Sequence, residues 1–252
     1  MKKLMFAVAA VAAGVAVADV TSANIVGYNS SSTVAMNNFK TVAFNTVGYN
    51  TADVQDIKLV GSTGGGLEFF SVWEGLPTVV EGIDFVWIGT EFDPNTGLAT
   101  EGYWMDMSTF GEAVFSIPGG QAVVINVSDN IGIKNAGQVP NEKVSFTTIE
   151  GNNFTGNPFP APIDVKDIKI IGSTGGGLEF FSVWQGLPTV VEGVDFVWIG
   201  TEFDPNTGLA TEGYWMDMGT FGEAEYTIQP NQGVVINAAA GLTIEIEPPY
   251  SL

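Results

Sequence analysis

Apolar residues in this chain come in short alternating or continuous runs. Glycine, proline, asparagine and aspartate break them roughly every eight to twelve residues, the spacing of sandwich and barrel strands. In Leu67–Trp73, an extended backbone puts Phe69 and Trp73 on one face and Phe70 and Val72 on the other. Phe85-Val86-Trp87-Ile88 is β-branched and aromatic with apolar groups on both faces, as in a strand buried inside a sandwich. Phe115 and Ile117 lead into the turn Pro118-Gly119-Gly120-Gln121, and Ala122–Val127 returns as a strand. No segment after the N-terminal leader shows a 3.6-residue apolar period with caps. The 32 glycines also oppose long helices. The pattern predicts an all-β chain.

The same pattern occurs twice. Residues 61–107 recur as residues 172–218 with two differences in 47 positions, Glu74 to Gln185 and Ile83 to Val194. Weaker matches extend the repeat: Asn37-Asn38-Phe39 with Asn152-Asn153-Phe154, Asp53–Lys58 with Asp164–Lys169, and 113–127 with 224–238. A duplicated segment is normally one folding unit. The expected architecture is therefore two tandem antiparallel β-sandwich repeats, residues 19–135 and 136–252, joined without a flexible linker. Like repeats with exposed strand edges are expected to stack edge to edge.

Residues 1–18 carry Lys2 and Lys3, an apolar run from Leu4 to Val17 and a small-x-small site at Ala16-Val17-Ala18. This is the form of a secretory signal peptide, and its apolar run is short of the about 20 residues a spanning helix needs. Cleavage after Ala18 would leave 28 carboxylates against six lysines, a net charge of −22, with no Arg, His or Cys. Without His and Cys, the usual zinc, haem and copper sites and the Ser-His-Asp and Cys-His nucleophile systems are excluded. The charge disfavours nucleic acid and anionic membrane surfaces, and no membrane insertion is expected after cleavage. The expected location is secreted or at the cell surface, with the periplasm as the other compartment reached by export. The acidity has two readings: solubility of an exported protein, or a set of calcium sites.

Other segments carry a resemblance. The second copy contains Gly156-Asn157-Pro158-Phe159-Pro160-Ala161-Pro162-Ile163-Asp164, the strand Phe196–Ile199, a DPNTG turn and the closing run Ile228–Val235. With Ala18–Tyr28, these resemble a family of secreted tandem-repeat β-domain proteins of Gram-negative bacteria. The resemblance implies an extracellular β-sandwich and no catalytic residue. The first copy departs from it, with Thr46-Val47-Gly48-Tyr49 where the GNPFP opening would stand.

Three chemical candidates remain. The turn Glu91–Gly97, repeated as Glu202–Gly208, offers Asp93 and Asn95, and Asp204 and Asn206, with Glu101 and Glu212 beyond it, as oxygen ligands for calcium, the one cofactor considered. Turn chemistry explains the same residues: Pro sets φ, Asp and Asn cap the backbone, and Gly takes the left-handed position. Tyr103 and Trp104, with Tyr214 and Trp215, are candidates for stacking on sugar rings, with burial in the core as the competing reading. Glu91, Asp93, Glu101 and Asp106 would have to supply any glycosidase pair, but an acidic chain offers many chance pairs and no cleft-forming insertion is evident. The Gly64-Gly65-Gly66 run lacks the lysine and helix of a phosphate loop and reads as a mobile hairpin loop. Together these predict a non-enzymatic exported structural or adhesive protein that associates with itself, with binding of cell-surface polysaccharide as the alternative.

Overall fold

The β-branched and aromatic runs form strands in a computed structural model of the chain. It describes residues 26–251 except 34, 43, 46–49, 75–78, 129 and 185–189. Residues 1–18, read as a signal peptide from the sequence, most of the Ala18–Tyr28 segment and Thr46–Tyr49 lie outside the described residues. The first half contains β1 (Val26–Ser32), β2 (Met36–Lys40), β3 (Thr51–Asp53), β4 (Ile57–Val60), β5 (Gly65–Trp73), β6 (Val79–Phe92), β7 (Ala99–Asp106), β8 (Ser116–Pro118), β9 (Val123–Val127) and β10 (Gly132–Gln138). The second contains β11 (Val144–Thr147), β12 (Gly151–Gly156), β13 (Ile163–Asp164), β14 (Ile168–Ile171), β15 (Gly176–Trp184), β16 (Val190–Phe203), β17 (Ala210–Asp217), β18 (Thr227–Ile228), β19 (Gly233–Ala238) and β20 (Thr243–Ile246).

Each half has a five-stranded sheet, β2-β9-β5-β6-β7 or β12-β19-β15-β16-β17, and a three-stranded sheet, β1-β10-β4 or β11-β20-β14. A short pair, β3-β8 or β13-β18, completes each set. The fold is all-β and antiparallel, of sandwich type. The strand order of the second half repeats that of the first. The expected boundary at 135/136 falls inside β10, because the ladder of β10 with β1 runs on to Gln138. The chain leaves one set of strands for the next between Val139 and Lys143.

Alternation along β5 sorts its side chains. Phe70 and Val72 point inward, where they join Phe85, Trp87, Trp104, Ile57 and Leu59 in one buried cluster. The counterpart cluster holds Phe181, Phe196, Trp198, Trp215, Ile168 and Ile170. Phe69 points outward, and Trp73 packs against a third cluster that joins the two halves.

A 3-10 turn at Val54–Asp56 is fixed by a reciprocal cap: Gln55 N–H donates to Asp53 Oδ1 (2.8 Å) and Asp53 N–H to Asp56 Oδ2 (3.0 Å). The cap holds Gln55 beside the outer edge of β7. There the Gln55 amide accepts from Trp104 N–H (3.0 Å) and donates to the carbonyls of Trp104 (2.8 Å) and Ala113 (2.9 Å). Lys58 Nζ closes the Gly102 carbonyl at 3.1 Å. At the far edge of the same sheet, Lys40 forms an isolated antiparallel bridge with Gln232. The edge-to-edge stacking expected for exposed strand edges therefore meets, at β7, an edge on which the Trp104 amide and carbonyl and the Gly102 carbonyl are already engaged.

In the second half Lys166 replaces Gln55 and lies 3.4 Å from Asp164, so the Trp215 edge lacks the amide brace. Gln55→Ala is expected to destabilise by about 1–3 kcal/mol, because it strands part-buried backbone groups. Lys166→Gln is expected to stabilise by about 0.5–1.5 kcal/mol by supplying the missing bonds. Thermal melts of the two variants should move in opposite directions.

Candidate functional site

The sugar-stacking candidates divide. Trp104 is 0% and Trp215 1% exposed. Their indole N–H groups donate to the carbonyls of Ile57 and Ile168, each at 2.8 Å. Neither presents a face to solvent, so the expectation of exposed tryptophan platforms is corrected. Both rings lie between the two sheets, where Trp104 meets Trp87 at 5.3 Å and Phe70 at 5.5 Å. Tyr103 and Tyr214 point the other way along the same strands and are half-buried.

The acidic turn is built by its own backbone. Asp93 Oδ1 accepts from Asn95 N–H (2.7 Å) and Thr96 N–H (3.3 Å), Gly97 N–H donates to the Asp93 carbonyl (2.8 Å), and Gly97 has φ +69°. Asp204 repeats this with Asn206 and Thr207, whose amides hold its carboxyl below the usual range. Glu101 lies across the β6–β7 ladder from Glu91. Glu212 is drawn 3.1 Å from Lys169 instead of toward the turn. Among the described residues no three acidic side chains converge as a metal-binding group.

The glycine run is also tighter than a mobile loop. Gly64 N–H donates to Ser62 Oγ (2.8 Å) and Gly89 N–H to the Gly64 carbonyl (3.0 Å). A Cβ on Gly64 would stand 2.7 Å from the Gly89 Cα. Glycine is required here by the close approach of two backbones and a φ of +64°.

Beyond these candidates, the outward face of each five-stranded sheet carries apolar groups. Asn126, Phe69, Val86 and Met105 are successive cross-strand partners, and Ile88 pairs with Tyr103. Leu67 is 69% and Leu178 67% exposed, and Phe69 and Phe180 are exposed beside them. The near-identical block supplies three of the five strands of each face. The next row on the same face is Phe39, Val124, Ser71 and Asp84, and here the two halves meet. Phe39 and Phe154 stack with centroids 5.3 Å apart and planes 6° from parallel, and Trp73 and Trp184 approach Phe39 edge-on. Thr41 Oγ donates to the Asn157 carbonyl (2.6 Å) and Thr155 Oγ to that of Gly120 (2.7 Å), so each half anchors the other. The exposed Leu–Phe rows continue the surface that already joins the halves.

Two further features escape the sequence reading. Phe110 and Phe221 adopt φ of +57° and +59° and are 77% and 75% exposed at the tips of turns closed on Asp106 and Asp217. Bulky side chains avoid that region. Glu68 and Glu179 are buried with Oε2 unpartnered, as is the indole N–H of Trp87 and Trp198. The signal for Glu68 is its parity, which places it on the inward side of β5 with Phe70 and Val72. Among the described residues no helix is long and apolar enough to cross a membrane. No protein-family model, curated protein or solved structure matches the chain.

Proposed function

We propose that this chain is an exported, non-catalytic structural element that associates with further copies of itself through its two outward sheet faces. The carrying observation is the continuity of the exposed Leu67–Phe69 and Leu178–Phe180 rows with the Phe39–Phe154 junction. The chain already buries one part of this face against its own other half, and it displays the rest twice. The export half of the reading rests on residues 1–18.

Magnitudes favour reversible assembly. Fully burying a Leu or Phe side chain contributes about 1.5–3 kcal/mol, so two such residues on each of two facing sheets contribute at most roughly 6–12 kcal/mol. Association itself costs on the order of 4–15 kcal/mol. One contact is therefore weak, and a chain with two like faces gains from using both.

Light scattering on the processed protein tests this. The mass should grow with concentration. Leu67→Ser with Phe69→Ser should limit assembly to pairs, since one face is left, and the further changes Leu178→Ser and Phe180→Ser should leave monomers. Assembly that survives all four changes would reject the reading. Polysaccharide is the competing occupant, for which half-buried Tyr103 and Tyr214 on the same faces are the aromatic groups. A wild-type protein that stays monomeric yet is retained on a polysaccharide column would favour it.

A further inference from the structure

Two cavities flank the Phe39–Phe154 stack and differ in charge. One, of about 250 Å³, is walled by Phe39, Val183, Trp184, Val191 and Tyr226, with Lys40 and Gln232 among its polar groups. The other, of about 320 Å³, uses the counterpart residues Val72, Val80, Gln121 and Phe154, but adds Glu74. Lys40 has Thr155 as its counterpart in the second half, and Glu74 has Gln185. The duplication thus yields two related cavities, with a cation in the first and a carboxylate in the second.

Lys40 is half-buried and lines the first cavity. Its Nζ reaches the Ser32 carbonyl only at 3.5 Å. The ion pairs among the described residues involve Lys143, Lys166 and Lys169, not Lys40. Burial pushes its ammonium below the ordinary lysine range, as expected where desolvation is not offset by a neighbouring acid. Tyr226 Oη accepts from Gln232 Nε2 at 2.7 Å, which leaves the phenol proton available to an acceptor in the cavity.

We propose that the Lys40 cavity binds a small carboxylate with a flat apolar body. The carboxylate would meet the Lys40 ammonium and the Tyr226 hydroxyl, and the body would lie among Phe39, Trp184 and the two valines. The lining sets Ser32, Asn38, Lys40 and Gln232 beside aromatic and aliphatic groups, so polar contacts can orient a ligand whose body packs on the rest. A water's share of liquid is about 30 Å³, so the cavity displaces roughly eight waters. That suits one ring and an acid group, not an oligosaccharide. The Glu74 cavity repels the same ligand.

Benzoate is the probe, followed by calorimetry and by ligand-detected NMR on the processed full chain. Benzyl alcohol and acetate serve as neutral and bodiless controls. The expected result is one benzoate per chain, with at least tenfold weaker binding of either control. Lys40→Met should abolish binding, and Lys40→Gln should weaken it at least tenfold, both with an unchanged melting temperature in the absence of ligand. Glu74→Gln should leave the stoichiometry at one, because the second cavity still has neither a lysine nor a tyrosine hydroxyl at the counterpart positions. Failure of wild-type protein to bind benzoate, a stoichiometry of two before mutation, or equal binding by the Lys40 variants would overturn the proposal. Self-association through the sheet faces is measured independently and can fail or hold without affecting this result.

Discussion

Trp104→Ala is expected to unfold the first half of the chain before it alters any binding. The ring is 0% exposed and packs on Trp87 and Phe70 between the two sheets. Removing a buried Trp side chain costs about 3–5 kcal/mol in lost contacts and residual cavity. The Ile57 carbonyl, which accepts the indole N–H at 2.8 Å, would lose its partner at a further cost of about 1–3 kcal/mol. Domains of this size are stable by about 5–15 kcal/mol, so the change removes much or all of the margin. Trp215→Ala should do the same in the second half. Trp104→Phe keeps most of the volume and loses the hydrogen bond, and should fall between. Near-ultraviolet circular dichroism and thermal melting decide the matter: a native spectrum and an unshifted melt for Trp104→Ala would contradict its burial. Loss of polysaccharide retention in such a variant would carry no information about sugar stacking.

The side of β7 on which Trp104 lies was beyond the sequence for a physical reason. Alternation separates Tyr103 and Met105 from Trp104 and Asp106, but both sets contain a large apolar group and one contains an acid. Nothing local says which set faces the partner sheet. The register resolves it, because Trp87 stands across from Trp104 and both lie over Ile57 and Leu59. The strands themselves were legible as β-branched and aromatic runs bounded by turn residues, as in Leu67–Trp73, even though both parities there carry apolar groups. The repetition of the block anticipated the repetition of the strand order.

The acidic turn was half legible. Its Asp, Pro, Asn and Gly each have turn roles visible from type alone, whereas the pairing of Glu212 with Lys169 requires two distant strands to be neighbours. The meeting of Phe39 with Phe154 was also hidden. The Asn-Asn-Phe match marks equivalent positions in two copies, and equivalence does not imply contact. The Lys40 cavity was out of reach for the same reason, since its walls come from both halves.

Phe154→Ala is the second change expected to have a large effect, and it acts on coupling more than on either core. Phe154 stacks on Phe39 and meets the edge of Trp73 at 6.1 Å. Its loss forfeits about 3–5 kcal/mol of burial, including the roughly 0.5–1.5 kcal/mol specific to aromatic pairing. The two sandwich cores do not include this ring. The wild-type chain should therefore unfold in one calorimetric transition, and Phe154→Ala in two, with each half retaining its near-ultraviolet signature until its own transition. Gly233→Ala tests the same coupling sterically, because a Cβ there would lie 2.8 Å from the Phe39 backbone. It should separate the transitions without removing any ring. If Phe154→Ala still unfolds in a single step, the coupling resides in the Thr41–Asn157 and Thr155–Gly120 hydrogen bonds, and Thr41→Val together with Thr155→Val should then divide it.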